Sequence, residues 1–210
     1  MGHVIPRRRL SALLPASVFS AVLFATSIAS AGIHTWDVKE VFSNASGTIQ
    51  YVELIDAGTG GFETGVSGGT ISSALRSHTW SSPAVAPPTS GKSYLIASAT
   101  FAALPGAPVP DAIIPADKMP FFNVAGDTVN FGPFDSFVFG PVPTNGINSL
   151  TDGLGIAPNT PKNYAGVQGS VNAAPPPVPT TSFWTTSALC ASLAAIGMVA
   201  LRRLRAGEQS

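Results

Sequence analysis

Hydrophobic positions fall into two kinds of run along this chain. Leu10 to Ile28 and Phe183 to Leu201 are long, apolar and free of charge. Between them the apolar runs are short and are broken by Gly, Pro, Asn and Ser, the punctuation of strands and turns rather than of helices. Trp36-Asp37-Val38-Lys39-Glu40 alternates apolar with charged residues, as a half-buried strand should, and Val41-Phe42 breaks the alternation. Ser43 to Gly47 reads as a turn, with Gly47 supplying a positive φ. Ile49 to Ile55 is the strongest strand signal, rich in β-branched and aromatic residues, and its short connection makes it an antiparallel partner of the first strand. Thr70-Ile71-Ser72 reads as a short strand, Tyr94 to Ala97 as a buried one, and Thr100 to Leu104 as a single helical turn. Thr128 to Phe131 and Phe137 to Phe139 form a hairpin across Gly132-Pro133. Turn signals about every ten residues predict an all-β sandwich, with Phe122, Val124 and Phe134 in its core.

The two long runs predict an address. Arg7-Arg8-Arg9 precedes the first, and Ala29-Ser30-Ala31 follows it with the small residues of a signal-peptidase site. Residues 1–31 therefore read as a signal peptide cut after Ala31 by signal peptidase, following Sec-type export. A permanent N-terminal anchor is the competing reading, which the Ala-x-Ala disfavours. The second run, 183–201, is just long enough to span a bilayer, which needs about 20 apolar residues as a helix. Arg202, Arg203 and Arg205 would stop its transfer on the cytoplasmic side, and Trp184 suits the opposite interface. A buried helix of a soluble domain is the alternative, and no polar face recurs at the helical period to support it.

Charge sharpens this division. The formal net charge of zero hides six of the eleven basic residues beside the two apolar runs; the part between keeps five against ten acids, a net of −5 (5 − 10). An acidic exported domain is unsuited to nucleic acid, whose binding rests on neutralising phosphates. The single cysteine, Cys190, lies in the second apolar run, so the exported part has no disulfide and no thiolate metal site.

Val178-Pro179-Thr180-Thr181-Ser182-Phe183-Trp184, the apolar run and the arginine cluster together resemble the IPTL-CTERM and PEP-CTERM sorting tails of Gram-negative bacteria. In that family the motif is Ile-Pro-Thr-Leu-Ser-x-Trp, so Val178, Pro179, Thr180, Ser182 and Trp184 stand at the motif positions, with Val for Ile and Thr181 for Leu. The resemblance implies recognition by an exosortase-like membrane transpeptidase and removal of the helix. The protein would be anchored in the inner membrane as a precursor, then delivered to the cell surface or extracellular matrix.

A second resemblance lies in the middle of the chain. Val38-Lys39-Glu40-Val41, Gln50 to Leu54, Gly126 to Val129, Asp135 to Gly140 and Pro143 to Leu150 are similar, in order and spacing, to the strand motifs of the lamin-tail domain. The resemblance covers 32–150 and implies an antiparallel immunoglobulin-like β-sandwich that binds or builds rather than catalyses. Its third-strand Trp is missing from Gly65 to Ile71. Residues 151–177, dominated by Pro, Gly, Asn and Thr and ending in Pro175-Pro176-Pro177, read as a stiff polyproline spacer. Residues 178–210 complete the chain as the sorting signal.

Candidate chemistry is thin. Gly65-Val66-Ser67-Gly68-Gly69 spells a nucleophile elbow, but the acid and then the histidine that must follow are not in order, since only His78 lies downstream with no acid before it. Glu40 and Glu53 on neighbouring strands could form a glycosidase-like carboxylate pair; acceptors of hydrogen bonds at strand ends or loops, or residues facing solvent, are the plainer alternative. The aspartates are scattered without a calcium-loop pattern, and His34 and His78 lack partners for zinc. No catalytic residue, metal or cofactor is expected. Trp80 and Tyr94 are the candidate ligand contacts, Trp80 because Ser, Thr and Pro surround it, although core burial is its simpler role. These features predict a non-enzymatic surface or matrix protein. A carbohydrate-binding module with exopolysaccharide as partner is the alternative, and a cryptic hydrolase a third reading.

Overall fold

The computed structural model describes residues 1–2 and 32–175, with positions 187, 190–192 and 196–198, which are helical. The chain divides into two units, Met1–Ser30 and Ala31–Ser210, and all that follows concerns the second. Among the described residues no helix is long and apolar enough to cross a membrane. The expected signal peptide beyond residue 2, with Ala29 and Ala31, the arginine clusters and most of the 183–201 run lie outside the described residues.

Strands dominate, as the short apolar runs predict. They are β1 (Trp36–Ser43), β2 (Gln50–Asp56), β3 (Thr70–Ser72), β4 (Ser77–Thr79), β5 (Ser93–Ser98), β6 (Ala112–Ile114), β7 (Asp127–Phe131), β8 (Asp135–Phe139), β9 (Asn148–Thr151) and β10 (Gly155–Pro158), with a short α-helical turn, α1 (Ala99–Ala102), after β5. They form a six-stranded sheet, β10-β9-β1-β2-β5-β6, and a four-stranded sheet, β4-β3-β7-β8. All pairings are antiparallel except β5 with β6. The two sheets close on one core: Trp36, Val38, Val41, Val52, Leu54, Tyr94 and Ile96 from the first meet Ile71, Val129, Phe131 and Phe139 from the second. Residues 32–175 of this unit form a mostly β, two-sheet sandwich.

The break in alternation at Val41-Phe42 has a definite cause. The β1–β2 register slips between Val38 and Glu40, leaving Lys39 as an extra residue. A bulge of this kind sends the residues after it to the other face. Trp36, Val38 and Val41 thus belong to the inter-sheet core, whereas Phe42 joins a second cluster with Tyr51, Leu95, Ala97 and Phe101. The six-stranded sheet is therefore apolar on both faces, and β5 is buried at every position. At roughly 1.5–3 kcal/mol for each large apolar side chain removed from water, the outer face needs a cover.

That cover is the segment the sequence presents as a spacer. Val171 and Ala173 are buried in the outer cluster. Asn159 is buried, donating from Nδ2 to the Val171 carbonyl (2.8 Å) and accepting from the Val171 amide on Oδ1 (2.8 Å). The Ala173 amide donates to the Gly146 carbonyl, and a Cβ on Gly146 would lie 2.1 Å from the Ala174 nitrogen, so only glycine admits this approach. The polyproline spacer expected over 151–177 is corrected accordingly: β9, β10 and the strap 159–174 belong to the folded body. Phe134, expected in the core, is 40% exposed at the β7–β8 turn. Phe122 is buried as expected, and Gly47 takes its positive φ of 70°.

Candidate functional site

Three carboxylates hold the strap. Glu40 on β1 and Glu53 on β2 are direct register partners, both fully buried. Glu40 accepts the Thr160 amide (3.0 Å) and hydroxyl (3.2 Å), together with the Tyr51 hydroxyl. Glu53 accepts the Lys162 amide (2.9 Å) and the Lys39 ammonium (2.7 Å). Asp111, just before β6, accepts the Tyr164 amide (2.9 Å) and the Leu95 amide (2.8 Å) on Oδ2. Alternate strap amides at 160, 162 and 164 are thus each received by a carboxylate of the sheet. Ladder pairing is replaced by charge-assisted side-chain bonds, which are stronger than neutral ones.

The electrostatics follow from burial. Two carboxylates opposite each other repel, and the bulge at Lys39 places a cation against one of them. Burial raises the Glu53 carboxyl above its ordinary value, with Lys39 opposing. Burial, then the neighbouring Glu40, pushes the Tyr51 phenol well above 10. Burial likewise raises Asp111, with its two amide bonds opposing. Glu40 and Glu53 are hydrogen-bond acceptors for a loop segment, as the plainer expectation has it, but they lie mid-sheet and sealed rather than at strand ends or in solvent, so they offer a substrate no access.

Beside the ladder lies a groove of about 430 Å³ between the Ser82–Ala86 loop and Tyr164, floored by Tyr94 and Asp111. The Ser82 hydroxyl donates to the Asp111 carbonyl (3.0 Å) and the Tyr164 hydroxyl to that of Ala86, so both walls are tied down. Of the expected ligand contacts, Trp80 is 5% exposed and stacks between Tyr94 and Phe131, its indole N–H donating to Val66 (2.9 Å). It is a core residue, the simpler of its two expected roles, and it is no ligand contact. Tyr94 is also buried, but it lines the groove. Nothing in the sequence pairs Asp111 with Tyr164, because their meeting depends on the strap.

The remaining motifs resolve as local structure. Ser67 sits in a 3-10 turn, Thr64–Gly68, followed by strand β3 rather than a helix, and its hydroxyl donates to the Thr64 carbonyl (3.3 Å). Among the described residues no group of three His, Cys, Asp or Glu is placed to hold a metal ion. The sorting positions Val178, Pro179, Thr180, Ser182 and Trp184, and Arg202, Arg203 and Arg205, lie outside the described residues. No protein-family model, curated protein or solved structure matches the chain.

Proposed function

We propose that this chain is an exported, non-enzymatic surface or matrix protein whose C-terminal tail directs its sorting. One observation carries the non-enzymatic part: the paired carboxylates a hydrolase would use, Glu40 and Glu53, are sealed under the strap and engaged by its amides. A general acid or base must reach its substrate within hydrogen-bonding distance. What supports the finer fold, an immunoglobulin-like sandwich of lamin-tail type, is that the stretches carrying that resemblance fall on β1, β2, β7, β8 and β9. The address rests on the basic, apolar and Ala-x-Ala sequence at one end and the motif, apolar run and arginines at the other. The partners in this reading are the export machinery, signal peptidase, an exosortase-like enzyme and, transiently, the inner membrane.

The test is the intact mass and cell fraction of the native protein. A species starting at Gly32 and ending within Val178–Trp184, recovered outside the cells, is the expected result. A species running from Gly32 to Ser210 in the inner membrane would make the tail a permanent anchor and overturn the sorting proposal. Hydrolysis by the purified protein that is lost on changing Glu53 or Ser67 would overturn the non-enzymatic part.

A further inference from the structure

Between β2 and β3 the chain builds a seat for the residue that signal cleavage would expose. Glu63 is fixed through its backbone on both sides. Its amide donates to the Thr89 hydroxyl (3.0 Å), and its carbonyl accepts the indole N–H of the fully buried Trp36 (2.8 Å). Gly32 is stitched to the same loop, its amide donating to the Phe62 carbonyl (3.3 Å) and its carbonyl accepting the Gly65 amide (2.8 Å). The Glu63 side chain is 12% exposed and turns back over Gly32. A Cβ on Gly32 would lie 2.5 Å from Oε1 and 2.6 Å from Oε2, so the carboxylate rests where a side chain would stand.

This carboxylate is half used. Oε2 accepts the His34 amide (2.8 Å), with Nδ1 of the largely exposed His34 ring 3.4 Å away. No N–H or O–H among the described residues donates to Oε1. Covalent geometry puts the Gly32 nitrogen about 2.5 Å from that Cβ position, and hence within about 5 Å of Oε1. As an amide this nitrogen has one hydrogen, which Phe62 receives. As an α-ammonium it would have three and a positive charge. We propose that Glu63 and the Phe62 carbonyl form a binding site for a primary ammonium group, and that its ligand is the chain's own N-terminus, freed at Gly32 when residues 1–31 are removed. The inference rests on the signal-peptide reading and adds what the cut does. It replaces a neutral amide beside Glu63 with a cation and closes the start of the chain onto the β2–β3 loop. Glycine suits this position because a side chain at 32 would push the carboxylate away.

The experiment compares two chains cut in vitro by a site-specific protease, both running to Ser210 in detergent, one starting at Gly32 and one keeping Ala31. Keeping Ala31 restores the amide and carries the ammonium one residue away. The Gly32 start should show an unfolding equilibrium constant about fivefold smaller in urea, the effect of a well-placed ion pair. Its α-amine, followed by NMR of the Gly32 α-protons, should titrate above the ordinary value of about 7.7–8.0, because a neighbouring carboxylate favours the charged form. Glu63→Gln keeps the backbone bonds of the loop, and it should make the two starts equally stable and return the amine to its ordinary value. Gly32→Ala, by displacing the carboxylate, should remove the advantage of the shorter chain. Equal stability of the two unsubstituted chains, a difference that survives Glu63→Gln, or an amine titrating at its ordinary value would each overturn the proposal. Because the protease makes the Gly32 end whatever the cell does, these results judge the site alone. A native protein whose intact mass places its first residue elsewhere overturns the signal-peptide reading, on which the use of the site in the cell rests.

Discussion

At the scale of single residues, what matters most is how a buried charge is answered. Glu40 receives a phenol, an amide and a hydroxyl, and the phenol comes from Tyr51 on the adjacent strand. A hydrogen bond to a charged group contributes about 1.5–3 kcal/mol. Tyr51→Phe keeps the ring stacked on Phe42 at 5.2 Å and removes the bond to Glu40. It should lower unfolding free energy by about 2 kcal/mol in a urea titration with little change of slope. Tyr94→Phe, the same change at a hydroxyl without a partner among the described residues, should cost nothing, and equal losses in both would undo this account of Glu40. Part of the arrangement is legible in the sequence. The broken alternation at Val41-Phe42 marks the bulge, and Glu40 and Glu53 stand out as acids within strands. Their burial is not legible, because the residue that closes over Glu40 is 120 positions away.

Elements were readable in proportion to how much of their stability is local. β1, β2, β5 and the β7–β8 hairpin carry their own pattern of β-branched, aromatic and turn residues, and each lies where that pattern puts it. β4, β6, β9 and β10 have three or four residues each and owe their conformation to a neighbouring strand. The strap is the extreme case, since Pro, Gly and Asn composition describes a spacer until three carboxylates and an asparagine give its backbone partners. Asn159 closes the strap on itself by bonding both Val171 backbone groups and the Ile147 carbonyl. Asn159→Ala strands these buried groups and should cost about 3 kcal/mol, among the larger effects of a point change. The loss should concentrate in the strap: faster amide exchange at Val171, Thr160 and Lys162, and tryptic cleavage after Lys162, while β2 and β5 amides keep their protection. Uniform loss of protection across the sandwich would mean that the strap is not a separate opening unit.

For the molecule as a whole, burial sets how stability follows pH, and two opposed trends meet in the acid range. Burial raises the carboxyls of Asp37, Glu53 and Asp111 above their ordinary values, with Asp135, Asp152 and Asp56 adding to the effect on Asp37. A raised carboxyl contributes stability that is complete below its unfolded value, 4.5 for Glu53 and 3.8 for the aspartates, and that is lost as pH climbs through the folded value. His78 runs the other way. Burial, then the nearby Lys118, lowers its imidazole, so its contribution is present above 6.5 and is lost as pH falls below 6.5 through the folded value. Acidification from pH 7 therefore draws on the histidine term while restoring part of the carboxylate term, and it relieves some of the self-repulsion of a domain with net charge −5 (5 − 10). The wild-type thermal midpoint should stay nearly level over this acidification. His78→Phe should tilt the curve so that the midpoint rises toward acid, and Glu53→Gln should tilt it the opposite way. Parallel curves for all three proteins would show that neither group changes its proton affinity on folding. The buried ladder would then act through hydrogen bonds alone.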